Sequence, residues 1–302
     1  MLFNFTPMNI DKILQNPRLC MGVLGITQKE FNQLLPLFTN ALLARYKKVS
    51  HTRKYGGGRN GNIKSPTQKL FFILFYFKSY PTFDVCAYIF ASSKTSTCDW
   101  VKDITPLLED TLGYAKVLPE RQLQSIEEFH ILFPDTKEIL IDGVERPIQR
   151  PSKDKTQKKH YSGKKKRHTR KSIIITDTKK KVLVLAPTKH GRVHDKKMSD
   201  KFSLIERIPE DVAIYGDSGF QGIQKQHHNT YIPFKGTKKN QLSKDQKWWN
   251  TQVSHVRVRV EHALSGMKRF KIFADILRAK CGKDDRWSRI VAGLWNLHLS
   301  FT

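Results

Sequence analysis

The sequence predicts an α/β domain built on a mixed sheet, preceded by an all-helical domain, and three observations carry that reading. Residues 27–112 repeat apolar residues at helical spacing with no strand-like stretch between them. From Glu138 onward short apolar runs bounded by turn residues take over, at Ile139-Leu140-Ile141, Ile173-Ile174-Ile175, Val182-Leu183-Val184-Leu185 and Val212-Ala213-Ile214. Helical patterns then return at 194–208, 251–273 and 287–299. Strand, strand, strand, helix, strand describes an antiparallel meander followed by a crossover to a further strand. The division is placed at residues 1–125 and 126–302.

In the first domain, Thr27-Gln28-Lys29-Glu30 has the form of a capping box and opens a helix to about Lys47, with Pro36 as a site of bending. Lys47 to Asn62 is basic and contains Gly56-Gly57-Gly58. It lacks the strand and lysine spacing of a nucleotide cradle, so it reads as a loop lying near phosphates. Ser65-Pro66-Thr67-Gln68 supplies a cap, a first-turn proline and a capping-box glutamine. The helix that follows is apolar nearly all round and belongs at the centre of a bundle. Thr82 caps a short helix, Phe83 to Phe90, and a break at Ala91-Ser92-Ser93 leads to a longer one from Lys94 to Leu112. Short helix, tight turn, helix is the layout of a helix-turn-helix, although an ordinary three-helix bundle has the same spacing. Lys94, Thr95 and Ser96, with Lys102 further along, are the residues that would meet bases or phosphates.

Charge points to the partner. The 302 residues carry 54 Lys and Arg against 27 acids, a formal net charge of +27, and an excess of that size selects a polyanion, most simply nucleic acid. Between Arg146 and Lys171 there are twelve basic residues and one acid, and the run falls between strands rather than on a free tail. Lys164, Lys165, Lys166, Arg167 and His168 are its densest part and read as a phosphate-binding surface. The four cysteines show neither disulfide nor zinc-finger spacing, as in a reducing cytosol. No signal peptide is expected, and the most apolar stretch, Leu70–Phe77, is too short to span a bilayer, which takes roughly 20 residues.

Two aspartates end apolar runs and are followed at once by glycine-containing turns, Asp142-Gly143 and Asp217-Ser218-Gly219. Gly143 is read as a sharp exit from the first strand. A third acid, Glu261, lies in the helical pattern 251–273, where offsets of four and eleven residues bring Arg257, Glu261 and Lys268 to within about 40° of one face. Three carboxylates from two strands and a helix suggest a metal site. Trp248-Trp249 reads as core in preference to a stacking platform. The helix at 287–299 is expected to pack on the sheet.

These motifs together resemble the DDE transposases of bacterial insertion sequences, in the group that also has Harbinger-type relatives. The matching residues are Ile141-Asp142-Gly143, Asp217-Ser218-Gly219-Phe220, the helix bearing Arg257, Glu261 and Lys268, and the basic segment Tyr161-Ser162-Gly163-Lys164-Lys165-Lys166. Ser254 stands where the helix pattern has tyrosine. The resemblance covers about residues 27–300 and implies a ribonuclease-H-like catalytic domain behind a helix-turn-helix. It also implies cut-and-paste transposition, in which terminal inverted repeats are bound, DNA is cut and strands are transferred. Asp142, Asp217 and Glu261 would be the catalytic and metal-binding acids, holding two Mg²⁺ ions, with Mn²⁺ able to substitute. Arg257 and Lys268 would contact phosphates. The partner would be double-stranded DNA, bound by a homodimer on paired ends in the bacterial cytoplasm at the nucleoid, with no membrane. The competing expectation is a domesticated DNA-binding protein without catalysis; a third is a nuclease acting on RNA or structured DNA.

Overall fold

The computed structural model describes residues 8–49, 62–237, 240–279 and 282–302. The glycine-rich segment read as a loop near phosphates falls almost wholly outside them, as does Cys281. The chain forms two compact units. One contains residues up to Leu118 with Arg269–Ala274 and Arg286–Thr302; the other contains Pro119–Lys268 and Asp275–Asp285.

The first unit is helical: α1 Ile10–Gln15, α2 Pro17–Leu24, α3 Gln28–Val49, α4 Pro66–Ser79, α5 Phe83–Ile89 and α6 Lys94–Tyr114. Local chemistry sets its boundaries. The Thr27 hydroxyl accepts from the Glu30 N–H at 3.2 Å while the Glu30 carboxylate accepts from the Thr27 N–H at 2.8 Å. Ser65 and Gln68 repeat the reciprocal pair at the start of α4. Every residue from Leu70 to Phe77 is buried, so α4 is the core of this unit, and Phe72 meets Phe90 and Trp100 edge-on. Thr82 caps α5, Ser93 caps α6, and Ala91, at φ 47°, reverses the chain between them. That is the predicted short helix, turn and longer helix.

The second unit runs α7 Ile126–Leu132, β1 Glu138–Pro147, α8 Asp154–His160, β2 Tyr161–Ser162, β3 Arg167–Asp177, β4 Val182–Leu185, β5 Lys189–His190, α9 Asp195–Lys201, β6 Ala213–Gly216, β7 Thr230–Tyr231 and α10 Lys244–Lys268. Its sheet has the order β2-β3-β1-β6-β7, with β4 and β5 also paired to β3. β1 lies antiparallel to β3 and parallel to β6, and β6 is parallel to β7. This is the mixed, ribonuclease-H-like sheet expected. One face is closed by an apolar cluster of Ile139, Ile141, Ile173 and Ile175 with Met198, Phe202, Ile205 and Ile208. α10 packs on β1 and β6.

Five local expectations are corrected. β1 does not leave the sheet at Gly143 but pairs with β3 through Pro147. The helix expected over 194–208 stops at Lys201; Ser203 adopts φ 46°, and Leu204, Ile205 and Ile208 are buried from irregular backbone. α10 starts at Lys244 rather than Thr251, because Ser243 and Gln246 form a further reciprocal cap, with both bonds at 3.1 Å. Trp248 on that helix is 64% exposed and so is not core, while Trp249 leans on Tyr231. The last two helices are α11 Lys271–Ala274 and α12 Lys283–Leu299. From Arg286 on, α12 belongs to the helical unit instead of packing on the sheet, and Trp287 sits edge-on to Phe77 and Tyr80 there. Among the described residues, no helix is long and apolar enough to cross a membrane.

Candidate active site

Pairing of β1 with β6 brings the two aspartates together. Ile141 is the register partner of Gly216 in this parallel pair, so Asp142 and Asp217 follow side by side on neighbouring strands. Each carboxylate accepts from the next backbone N–H, Gly143 for Asp142 at 2.8 Å and Ser218 for Asp217 at 2.7 Å. Strand alternation turns Ile139, Ile141 and Gly143 toward α9 and the apolar cluster, and Asp142 toward α10.

Two cations meet this pair. Arg257, on α10 with its side chain 14% exposed, reaches Asp217 Oδ1 at 3.6 Å, and Lys164, from the basic segment, reaches Asp217 Oδ2 at 3.4 Å. Burial pushes the Asp142 carboxyl up, and the Asp217 charge adds to that; the Gly143 N–H, Arg257 and Lys164 offset only part of it. Burial also pushes Asp217 up, but Arg257, the Ser218 N–H and Lys164 outweigh it and hold this carboxyl below its ordinary value. The pair is thus asymmetric, with the Asp217 carboxyl held below its ordinary value and the Asp142 carboxyl pushed above it.

That chemistry fits a hard divalent cation, which binds oxygen donors and relieves the cost of a buried carboxylate. Asp142 and Asp217 are the residues able to hold it. Glu261 lies one helical turn beyond Arg257 and is exposed. Among the described residues, no three His, Cys, Asp or Glu side chains come together as a metal-binding group. The structure therefore brings two of the three expected acids together and leaves Glu261 at the surface of the same helix.

The expected DNA-binding residues fall into distinct settings. Lys164, Lys165, Lys166 and Arg167 are exposed around the β2–β3 turn, and His168 is half-buried against Tyr161. The two ends of the basic run differ from the expected phosphate surface. Arg146 donates to the Asp284 carbonyl at 2.9 Å, Arg170 pairs with Asp284 at 2.6 Å, and Lys171 is buried between Glu145 and Asp195. Arg170 and Lys171 are thus interior cations paired with acids, and Arg146 is an interior cation bonded to the main chain. Lys268 is exposed at the end of α10. In the helical unit, Lys94 and Thr95 are exposed at the start of α6 and Ser96 is half-buried. Lys94 pairs with Asp84 at 3.0 Å, and Lys102 with Asp99 at 2.8 Å.

Sequence reasoning missed Asp195. Its carboxylate lies against the glycine that follows each candidate aspartate: a Cβ on Gly143 would stand 2.5 Å from Oδ1, and one on Gly219 2.7 Å from Oδ2. The signal is present in those two glycines, which look like turn residues in the sequence although neither has a positive φ.

Residues 141–296 match the model of the DDE superfamily endonuclease, and residues 63–113 match that of the helix-turn-helix of DDE superfamily endonuclease. The chain is also similar to a probable transposase for insertion sequence element IS702 of Microchaete diplosiphon. The two are 25% identical over 294 residues, 97% of this chain and 99% of that one. No solved structure matches. The chain belongs to the DDE superfamily endonucleases, with the helix-turn-helix of that superfamily ahead of its endonuclease region.

Proposed function

We propose that this protein binds the terminal inverted repeats of its own element, cuts the DNA there with divalent ions, and transfers the freed strands to a target. The observation that carries the catalytic part is the pairing of Asp142 and Asp217 on adjacent parallel strands, with Arg257 and Lys164 beside them. Asp142 and Asp217 would hold the cation between them, at the ends of the two strands. Glu261 is the third carboxylate, carried on the same helix as Arg257. When bound, two Mg²⁺ ions, or Mn²⁺ in their place, supply an activated hydroxyl, offset charge on the phosphate and support the leaving oxygen. Arg257 and Lys164 neutralise the acids in the meantime and pass to the phosphates flanking the scissile bond when DNA enters. Lys268 contacts the backbone further along α10.

Lys165, Lys166, Arg167 and His168 hold the DNA backbone beside the site, which positions the duplex without reading its sequence. Reading falls to α6, whose first residues Lys94, Thr95 and Ser96 enter the groove, with Lys102 on a phosphate. Because Lys94 is paired with Asp84 and Lys102 with Asp99, binding exchanges a surface ion pair for a phosphate contact, at small cost. Cleavage leaves a 3′-hydroxyl that attacks target DNA. Two ends handled together call for a homodimer, working at the nucleoid of a bacterial cytoplasm.

The test is nicking of a plasmid that carries this gene with its native flanks, in Mg²⁺ or Mn²⁺, by wild type and Glu261→Gln. Cuts at the repeat ends that vanish in the variant are the expected result. Binding to the flanks with no cutting by either protein would replace this reading with that of a DNA-binding relic. Cutting that survives in Glu261→Gln would remove Glu261 from the site.

A further inference from the structure

Asp195 opens α9 on the side of the sheet opposite Asp142, yet its two carboxylate oxygens touch both candidate segments. Oδ1 faces the Cα of Gly143 and Oδ2 faces that of Gly219; any β-carbon at either position would lie inside contact distance of the carboxylate. Glycine is therefore needed at both places for close approach rather than for turning. The carboxylate is itself held. Lys171 Nζ lies 3.0 Å from Asp195 Oδ1 and 3.4 Å from Glu145 Oε1, and it donates to the Val193 carbonyl at 3.1 Å. Thr169 Oγ1 donates to Glu145 Oε2 at 2.7 Å. Lys171 and Glu145 are register partners across β3 and β1, so the anchor is fixed to the two central strands. Lys171 is 7% exposed, and the side chains of Glu145 and Asp195 are 4% and 15% exposed.

We infer that Asp195 is a positioning residue for the paired acids: locked by Lys171, it wedges between Gly143 and Gly219 and fixes the spacing of Asp142 and Asp217. The inference rests on the proposal that those two aspartates hold the divalent ion. Rigid ligand geometry matters here because Mg²⁺ demands near-ideal octahedral coordination and takes few protein ligands. Loss of a supporting contact of this kind typically weakens metal binding by about 10–100-fold.

The test uses the full chain without DNA and follows free Mn²⁺ by electron paramagnetic resonance, with melting temperature recorded alongside. Wild type is compared with Asp142→Asn, Asp195→Ala, Asp195→Asn and Gly219→Ala. Asp142→Asn should lose the binding. Asp195→Ala should need roughly 10–100-fold more Mn²⁺ for half-saturation, while Asp195→Asn, which keeps the wedge, should keep the wild-type value. Gly219→Ala pushes on the same carboxylate from the other side and should weaken binding with the Lys171 anchor intact, so it serves if Asp195→Ala does not fold. A lower melting temperature with unchanged Mn²⁺ half-saturation in Asp195→Ala or Gly219→Ala would overturn the inference and leave Asp195 a purely structural residue. Equal Mn²⁺ binding by wild type and Asp142→Asn is a different pattern; it would overturn the metal-site reading and this inference with it.

Discussion

Replacing Lys171 with methionine probes the buried charge network that supports the site. The lysine nitrogen stands 3.0 Å from Asp195 and 3.4 Å from Glu145, with all three side chains largely out of water. At an effective dielectric of about 20, each contact is worth about 5 kcal/mol of gross attraction. Most of that is offset by the cost of bringing three charges inside, so the network as a whole adds little net stability. Removing the cation alone is another matter, because two carboxylates then remain desolvated and uncompensated. Breaking a buried pair in this way costs about 3–5 kcal/mol, a large part of the roughly 5–15 kcal/mol that holds a typical domain. Urea unfolding of Lys171→Met followed by far-UV circular dichroism should show a loss in that range. Adding Glu145→Gln should restore part of it by removing one stranded charge. A loss below about 1 kcal/mol in the single variant would show that water reaches these groups, and would refute the description of Lys171 as a buried anchor.

Three further outcomes are expected from other parts of the molecule. Lys165, Lys166 and Arg167 are exposed around the β2–β3 turn; changing all three to alanine should flatten the slope of log affinity against log salt by up to about 2.7, since each phosphate contact contributes about 0.9. Asp217 is held below its ordinary value of 3.8 with Arg257 among the causes. Its stabilising contribution is therefore complete above that value and lost as pH falls through the lower folded value, and in Arg257→Gln both this loss and the acid limb of cleavage should move to higher pH. Ser93 caps α6 through the Ser96 N–H at 3.1 Å; Ser93→Ala should cost about 1 kcal/mol in thermal unfolding and weaken binding to the element's own ends.

Much of the fold was legible because its signals are local. The caps at Thr27, Ser65 and Thr82 involve residues three apart, and the sequence displays them directly. The Ser243–Gln246 cap is equally local, and it is what extends α10 back to Lys244 and places Trp248 on an exposed helix. The paired aspartates were legible because each ends an apolar run at the point where parallel strands become neighbours. What the sequence could not display was tertiary. Gly143 looks like a strand exit in isolation, and only the approach of Asp195, 52 positions later in the chain, explains it. The basic run had a uniform composition, yet Arg170 and Lys171 turn inward to buried acids while Lys164 to Arg167 face solvent. Apolar residues from Met198 to Ile208 kept a helical rhythm that the backbone abandons at Ser203, since burial in the sheet cluster sets those side chains rather than helix periodicity.

In the proposed function, Asp142 and Asp217 hold the divalent ion that cuts DNA. Exchanging the donor atom tests it most directly. Asp142→Cys and Asp217→Cys replace a hard carboxylate with a soft thiolate, which binds Mg²⁺ poorly and tolerates softer divalent ions better. Strand cleavage of the native flanks by each variant should be lost in Mg²⁺ and partly restored in Mn²⁺. Wild-type cleavage in Mg²⁺ by either cysteine variant would contradict the claim and move the metal centre elsewhere.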